Sequence, residues 1–203
     1  SGAQGPIAVS LESFTRYQRE DAWTWEHMAL CRARPLYGTA ADRAALGAII
    51  ADVLHRPRDP AKLRDDMLAM RAEMALHKPP SGPLDVKLAR GGLVDLEFLV
   101  HYLQLRERTA LDPDLGRAIE GLAGAGLIPA PLRAAHDLLA RLLVVVRLVA
   151  PDGRYPPAAS RAIVARACGV ADWPGLLVAV LAARQHIAAS WHLIFGEILE
   201  ISE

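Results

Sequence analysis

The chain has 203 residues, of which 52% are hydrophobic but only 5% aromatic. A core built on Leu, Ala and Val is typical of packed helices, so we predict one all-α domain with a helical-bundle fold. Lys plus Arg (23) and Asp plus Glu (23) balance, and this lack of net positive charge argues against a nucleic-acid partner.

The N-terminal part of the chain starts with residues 1–6, which contain neither a charged leader nor a long apolar run. We therefore expect no secretion signal and interpret this start as a cut inside a longer protein. Ser10 is a plausible N-cap for one long helix over residues 11–34, and Pro35 and Gly38 would end that helix.

Two further helices are predicted before the middle of the chain. Ala, Leu and Ile at helical spacing indicate one over residues 39–55. Asp59 and Pro60 supply an N-cap and a first helical residue for another, over residues 60–76. Methionines three and four residues apart on this second helix favour core packing over a pliable binding surface. They are Met67, Met70 and Met74.

The second half of the chain begins after a break at residues 78–92, which is rich in proline and glycine. We predict a loop there with one short extended segment at residues 85–88. The apolar stretch at residues 138–150 is interrupted by two arginines and falls short of the roughly 20 residues that span a bilayer, so it predicts a buried helix and no membrane partner. The helices predicted after the loop cover residues 93–108, 115–123, 132–149, 160–168 and 174–199.

A tryptophan-rich segment before Pro35 is the first candidate for function. At 100° per residue, Trp23 and Trp25 point to nearly opposite sides of a helix, so we expect both sides to be covered and the helix to lie between layers. Its charged residues either form structural ion pairs near a domain boundary, or its arginines face a phosphate or an acidic partner. These charged residues are Glu26, Arg32 and Arg34.

The second candidate lies at the end of the predicted loop. Asp85 and Lys87 would share one face of the extended segment, and Gly91 and Gly92 would let the backbone turn tightly into the next helix. Asp95, in the first turn of that helix, is a functional candidate, although stabilising exposed amides and the helix dipole is the commoner role for such a residue.

The same helix carries a narrow polar stripe of Glu97, His101 and Gln104, which we expect to need partners from outside. Asp95 and Glu97 are about 200° apart on a helix, which disfavours a shared metal site. We therefore expect no metal on this chain. A freestanding metal-dependent enzyme that uses Asp95, Glu97 and His101 is the remote alternative.

Two stretches, AWTWEHMALCRAR (22–34) and DVKLARGGLVDLEF (85–98), resemble the signatures of the bacterial glutamine synthetase adenylyltransferase family. In that family, each half of a long protein carries a nucleotidyltransferase domain followed by a helical bundle, and one half attaches adenylate while the other removes it. The second stretch resembles the attaching, C-terminal half. The resemblance implies that residues 1–10 are the remnant of the nucleotidyltransferase domain and that residues 11–203 are the bundle.

The resemblance implies more for the intact parent than for this chain. The parent would transfer adenylate from ATP to a tyrosine of glutamine synthetase with magnesium, under control of glutamine and the PII signal protein. The family's Gly-Ser and Asp-x-Asp motifs have no counterpart here, so we expect no catalytic residue, no bound ATP or magnesium, and no activity from this chain alone. The family usually has glutamine where this chain has His101.

We therefore predict a helical domain that fixes the catalytic domain and relays regulator binding, in a cytoplasmic, monomeric protein. The isolated Cys31 and Cys168 are expected to be reduced, as in a cytosol. An interaction module that docks PII or glutamine synthetase, with no part in the active site, is the alternative. The candidates for an interface with the preceding domain or for binding are Trp25, Glu26, Arg32, Arg34, Asp85, Lys87, Asp95 and Glu97.

Overall fold

The computed structural model of the chain describes residues 8–151 and 154–201, which form nine α-helices and no strand. The all-α prediction is therefore confirmed. From residue 39 onward, every predicted helix is present, with ends shifted by at most four residues. In chain order the helices are α1 (Leu11–Glu20), α2 (Thr24–Leu30), α3 (Ala40–His55), α4 (Pro60–His77), α5 (Leu93–Glu107), α6 (Leu115–Gly124), α7 (Pro131–Val149), α8 (Ala158–Ala167) and α9 (Trp173–Phe195).

Local capping explains most of these helix ends. The Asp59 carboxylate accepts hydrogen bonds from the amides of Ala61 and Lys62 at the start of α4, and Thr39 begins α3 in the same way. At the other end of the chain, Gly196 adopts a left-handed conformation with φ of 73°, so α9 ends at Phe195, four residues before the predicted end at residue 199.

The prediction of a single helix over residues 11–34 is wrong. The backbone of Trp23 is extended, and the Glu26 carboxylate accepts a hydrogen bond from the Trp23 amide at 2.9 Å, which starts α2 as a separate helix. The other Glu26 oxygen accepts a hydrogen bond from the Tyr17 hydroxyl of α1 at 2.7 Å. Glu26 therefore fixes the corner between α1 and α2.

The extended segment predicted at residues 85–88 is also absent. The Asp85 carbonyl accepts a hydrogen bond from the Ala89 amide at 3.0 Å, and the Asp85 carboxylate accepts one from the Leu88 amide at 3.1 Å. These bonds wind the backbone into consecutive turns, so the two-residue period of a strand does not place Asp85 and Lys87 on one face.

The core is organised around α5, which packs against α2, α4, α6, α7 and α9. Nearly every side chain of α5 is buried, and full burial of each leucine contributes about 1.5–3 kcal/mol. α7 packs along α9, and α8 closes the end of that pair. The fully buried leucines of α5 are Leu96, Leu99, Leu103 and Leu105.

The described residues form one connected body, because α1 and α2 contact α3, and α2 also contacts α4 and α5. Residues 1–7 of the predicted nucleotidyltransferase remnant lie outside the described residues, so the division at residue 10 stays a prediction. Among the described helices, α9 is long and apolar enough to cross a membrane by length and composition. In this fold it buries Trp191 and Phe195 against the other helices.

Candidate functional site

A buried ion pair joins α4 to the first turn of α5. The Arg71 Nε donates to the Asp95 Oδ1 at 2.5 Å, and the two side chains are only 2% and 0% exposed. The second Asp95 oxygen accepts a hydrogen bond from the Gly91 amide at 2.6 Å. Asp95 thus holds the start of α5 from inside, and it cannot itself touch another domain while the chain is folded.

Two arginines bind carbonyl groups of the loop over residues 78–92. Besides its bond to Asp95, Arg71 donates to the Leu88 carbonyl at 3.3 Å. Arg184 of α9 donates to the Arg90 carbonyl at 3.0 Å. These bonds attach a segment without regular helix to α4, which directly precedes it, and to α9, which is distant in sequence, so the loop is part of the packed structure.

The two loop glycines allow this close packing. Gly91 has φ of +70°, and a Cβ atom built on it would lie 2.5 Å from the Arg184 carbonyl oxygen. A Cβ atom on Gly92 would lie 2.5 Å from the Val86 carbonyl oxygen. The predicted tight turn into the next helix is therefore confirmed at both positions.

Glu97 lies on the surface side of α5 and forms an ion pair with Arg32, which follows α2. Its Oε2 is 3.5 Å from the Arg32 guanidinium, and the two side chains are 31% and 53% exposed. Asp95 and Glu97 thus bind different arginines on different sides of α5. Within residues 8–151 and 154–201, no three His, Cys, Asp or Glu side chains converge as metal ligands.

The other two residues of the polar stripe, His101 and Gln104, form hydrogen bonds with each other and with the nearby backbone. Gln104 donates from its amide nitrogen to the Ala110 carbonyl at 2.7 Å, which leaves its oxygen to accept from the His101 Nδ1 at 2.8 Å. His101 is therefore assigned as the neutral Nδ1–H tautomer. Its buried Nε2 has no hydrogen-bond partner in the described part of the chain. Gln104 and Glu97 thus find partners outside α5 but within the described residues, in Ala110 and Arg32, and only the His101 Nε2 is left without one.

Burial lowers the pKa of His101 to about 4, and the bond to Gln104 opposes this shift. In the unfolded chain a histidine has a pKa of about 6.5. The folded state thus binds the proton more weakly, so this residue's contribution to stability is complete above pH 6.5 and is lost as the pH falls towards 4.

We accordingly expect the free energy of unfolding to fall by about 2 kcal/mol between pH 7.5 and pH 5 through His101 alone. His101→Gln should remove that part of the pH dependence, because an amide does not titrate. Urea unfolding of both proteins at the two pH values measures the difference, which excludes contributions from the carboxylates that both share. Equal pH dependence in the two proteins would show that His101 does not titrate differently on folding.

The tryptophans before and within α2 lie on the surface. Trp23 is 72% exposed and Trp25 is 48% exposed, so the expectation that both sides of this segment are covered is wrong for the described residues. The hydroxyl of Thr24, between them, donates to Asp66 of α4 at 2.5 Å. α2 is therefore fixed to α4 while its two indole rings remain available.

Two apolar depressions lie on either side of Trp25. One, of about 660 Å³, is lined by both tryptophans, Met70 and charged residues of α4. The other, of about 470 Å³, is lined by Trp25, Met28, Phe98 and the Arg32–Glu97 pair. The methionine prediction holds for Met67, which is fully buried. Met70 and Met74 are half-buried and pack against the core, and they also line these depressions. We call this surface the α2 face.

The structure thus brings together only some of the predicted site residues. Trp25, Arg32 and Glu97 share the second depression, and Glu26 fixes the helix that carries them. Arg34 is exposed and has no ion-pair partner among the described residues, while Asp85 and Lys87 line a separate depression. Cys31, which is near the α2 face, is buried, and burial raises the pKa of its thiol to about 12.

Sequence reasoning missed Arg71, Arg184 and the orphaned nitrogen of His101. Arg71 carried a readable signal, because it lies four residues after the buried Met67 and so shares its helix face. A charged residue on a buried face requires a partner of opposite charge. The identity of that partner, 24 residues away, could not be read from one sequence.

A family model and the known proteins that resemble this chain indicate the same family. The family model described as glutamate-ammonia ligase adenylyltransferase matches residues 1–48, which include α1 and α2. The chain is 39% identical over 182 aligned positions to a protein of Brucella suis biovar 1, and 40% identical over 212 aligned positions to one of Xanthobacter autotrophicus. A protein of Rhodopseudomonas palustris is 35% identical over 207 aligned positions.

All three relatives are named bifunctional glutamine synthetase adenylyltransferase/adenylyl-removing enzyme. The alignments cover 85%, 98% and 97% of this chain, but only 18%, 21% and 21% of the relatives. The chain therefore spans about a fifth of the length of the proteins that it matches.

Proposed function

Because this chain belongs to the glutamine synthetase adenylyltransferase family, we propose that it is the helical domain that supports the catalytic domain of the adenylyl-attaching half. In this proposal the whole protein transfers adenylate from ATP, with magnesium, to a tyrosine of glutamine synthetase. The ATP and magnesium sites lie elsewhere in the parent. The 203-residue chain alone then adenylylates nothing, and radiolabelled adenylate appearing on glutamine synthetase with this chain as sole enzyme would contradict that.

The α2 face is the observation that carries this proposal. Two tryptophans, 72% and 48% exposed, border two adjoining apolar depressions. Large apolar surfaces of this kind generally mark an interface rather than solvent-exposed structure. The tryptophans also lie within residues 1–48, which match the family model. In this proposal, the rest of the parent protein, about four times as long as this chain, packs over the α2 face.

The proposed role follows from how the α2 face is connected to the rest of the domain. α2 is tied to α4 by the bond from Thr24 to Asp66, and the turn after α2 is tied to α5 by the Arg32–Glu97 pair. A catalytic domain resting on this face would be held by the bundle's central helix. Adenylyl transfer depends strongly on positioning, so such support acts on the rate without contributing a reacting group.

The test compares two variants on the α2 face of the intact parent. Trp23→Ala and Glu97→Ala should each lower adenylyl transfer at least about tenfold, because small misplacements of reacting groups are costly. Neither should lower the stability of the 203-residue chain by more than about 1 kcal/mol, since Trp23 is 72% exposed and the Glu97 pair is partly solvated. Radiolabel transfer and thermal unfolding provide the two measurements.

Leu148→Ala is the control, because that side chain is 80% exposed on α7, away from the α2 face. It should change neither quantity. Loss of stability in Glu97→Ala with unchanged turnover would contradict the supporting role. If the variants kept basal transfer but lost the response to PII, the alternative of a pure docking module would replace it. That alternative calls for an exposed apolar groove away from residues 85–97. The second depression is lined by Glu97 and does not fit this description, whereas the first is lined by none of these residues.

A cytoplasmic location and a monomeric state complete the proposal. Two buried, unlinked cysteines, Cys31 and Cys168, are compatible with a reducing compartment. PII and glutamine remain proposed regulators of the parent, and the proposal assigns neither of them a site on this chain.

A further inference from the structure

A third depression, of about 270 Å³, lies between the loop over residues 78–92 and the end of α7, away from the α2 face. Three basic side chains line it, and they come from three parts of the chain. Lys78 follows the last residue of α4, Lys87 belongs to the loop, and Arg147 is in the last turn of α7. The lining also includes Ser81 and Asp85, above apolar residues such as Leu84, Leu143 and Val146.

None of the three basic side chains has an ion-pair partner in the part of the chain that the structure describes. Asp85, the acidic residue of the depression, forms its hydrogen bonds with other residues of the loop. Its Oδ2 accepts hydrogen bonds from the Ser81 amide and hydroxyl, both at 3.0 Å, and its Oδ1 accepts one from the Leu88 amide at 3.1 Å. Asp85 therefore shapes the loop and forms no ion pair with the three cations, although its negative charge still counts in the balance of the depression.

The charge balance of the depression favours an anion. Among the described residues that line it, three cations against one carboxylate leave a surplus of two positive charges. The C-termini of α4 and α7 oppose this, but each helix end carries only about half of a negative charge, so the two together offset about one of the surplus charges. The depression thus keeps a net positive charge after both corrections.

The loop that presents Lys87 is already fixed, which lowers the cost of binding. The Lys87 carbonyl accepts a hydrogen bond from the Val94 amide at 3.1 Å, and the neighbouring Val86 carbonyl accepts one from the Leu93 amide at 2.9 Å. Arg71 holds the next residue through the Leu88 carbonyl. A ligand that binds here would order side chains but not backbone.

From these observations we propose that the depression formed by Lys78, Lys87 and Arg147 binds the phosphate group of a phosphorylated small molecule. A phosphate group carries the negative charge that this net positive depression attracts, and its oxygens match both the point charges of lysine and the planar fork of arginine. A volume of about 270 Å³ admits the phosphate and a small part of its carrier. The proposal does not depend on the role of the α2 face.

The test is a titration of the 203-residue chain with inorganic phosphate at low ionic strength, followed by amide chemical shifts. Saturable shifts should cluster at residues 78–88 and at the end of α7. Lys87→Gln and Arg147→Gln should each weaken binding about tenfold, the loss expected for one charge-assisted hydrogen bond. AMP and phosphoserine, titrated in parallel, distinguish a nucleotide from a phosphorylated amino acid as the source of the phosphate.

Arg166→Gln is the matched control, because Arg166 is also an exposed arginine in the last turn of a helix but lies outside the depression. It should leave phosphate binding unchanged within about twofold, a difference well below that of one charged contact. Equal weakening by Arg147→Gln and Arg166→Gln, or shifts spread over basic residues of the whole surface, would overturn the site, as would the absence of saturable shifts. None of these measurements involves adenylyl transfer, so the result is independent of the function proposed for the parent.

Discussion

Asp95→Ala should lower the free energy of unfolding of the chain by about 3–5 kcal/mol, because it leaves a buried guanidinium without its counter-charge. Arg71 is 2% exposed and cannot turn to solvent without opening the contact between α4 and α5. The substitution also removes the acceptor for the Gly91 amide. Urea unfolding of the original chain and the variant measures the loss.

An exposed ion pair provides the control for this prediction. Asp65, 72% exposed, pairs with Arg64 at 3.3 Å, and Asp65→Ala should cost less than about 1 kcal/mol. Replacing both buried partners, as Arg71→Met with Asp95→Leu, should recover most of the stability that Asp95→Ala loses, since no charge is then left buried. Similar losses for Asp95→Ala and Asp65→Ala would mean that the interior pair does not hold the two helices together.

Gly91→Ala should destabilise the chain by about 2–5 kcal/mol, the sum of a strained backbone and a steric overlap. Its φ of +70° costs a residue with a side chain about 1–2 kcal/mol. The new Cβ would lie 2.5 Å from the Arg184 carbonyl oxygen, which belongs to the backbone of α9 and cannot move aside alone. Thermal unfolding and urea unfolding should agree on the direction.

The same substitution in α3 should have the opposite sign. Gly47 is inside that helix, and a Cβ on it would meet nothing within 4 Å. Gly47→Ala should therefore stabilise the chain by about 0.5–1 kcal/mol, through the lower conformational entropy of alanine in the unfolded state. If Gly91→Ala were as well tolerated as Gly47→Ala, the close approach of the loop to α9 would be refuted.

Helices with side-chain caps could be predicted from the sequence, and helices that depend on tertiary contacts could be predicted only in part. Asp59 before Pro60 marks the start of α4 with local chemistry alone. The break before α2 has no such mark, because tryptophan is not a capping residue and the cap is made by Glu26 from inside the next turn. Periodicity continued across that break, so one helix was predicted where there are two.

The candidate site shows the same division. The tight turn at Gly91 and Gly92 and a local role of Asp95 towards backbone amides could be predicted, because they concern the backbone a few residues away. The contacts of these residues with Arg71 and Arg184 could not, because both arginines lie far along the chain. The exposed tryptophans were predicted to be covered, since amphipathic reasoning assigns every apolar residue to some packed surface. For Trp23 and Trp25 that cover is not formed by the residues of the described chain. The sequence of one segment indicates that its surface is apolar, but it does not indicate which helix or domain packs against that surface.

The attachment of the loop over residues 78–92 to α4, α5 and α9 also bears on how this family can vary. Surface connections are usually where related proteins gain or lose residues. Here one added residue would move Gly91 away from Arg184, or Leu88 away from Arg71, and would uncover the buried charges. Related proteins should therefore keep this connection constant in length. Insertions should accumulate instead between α2 and α3, where Tyr37 is 96% exposed and the backbone has room to lengthen.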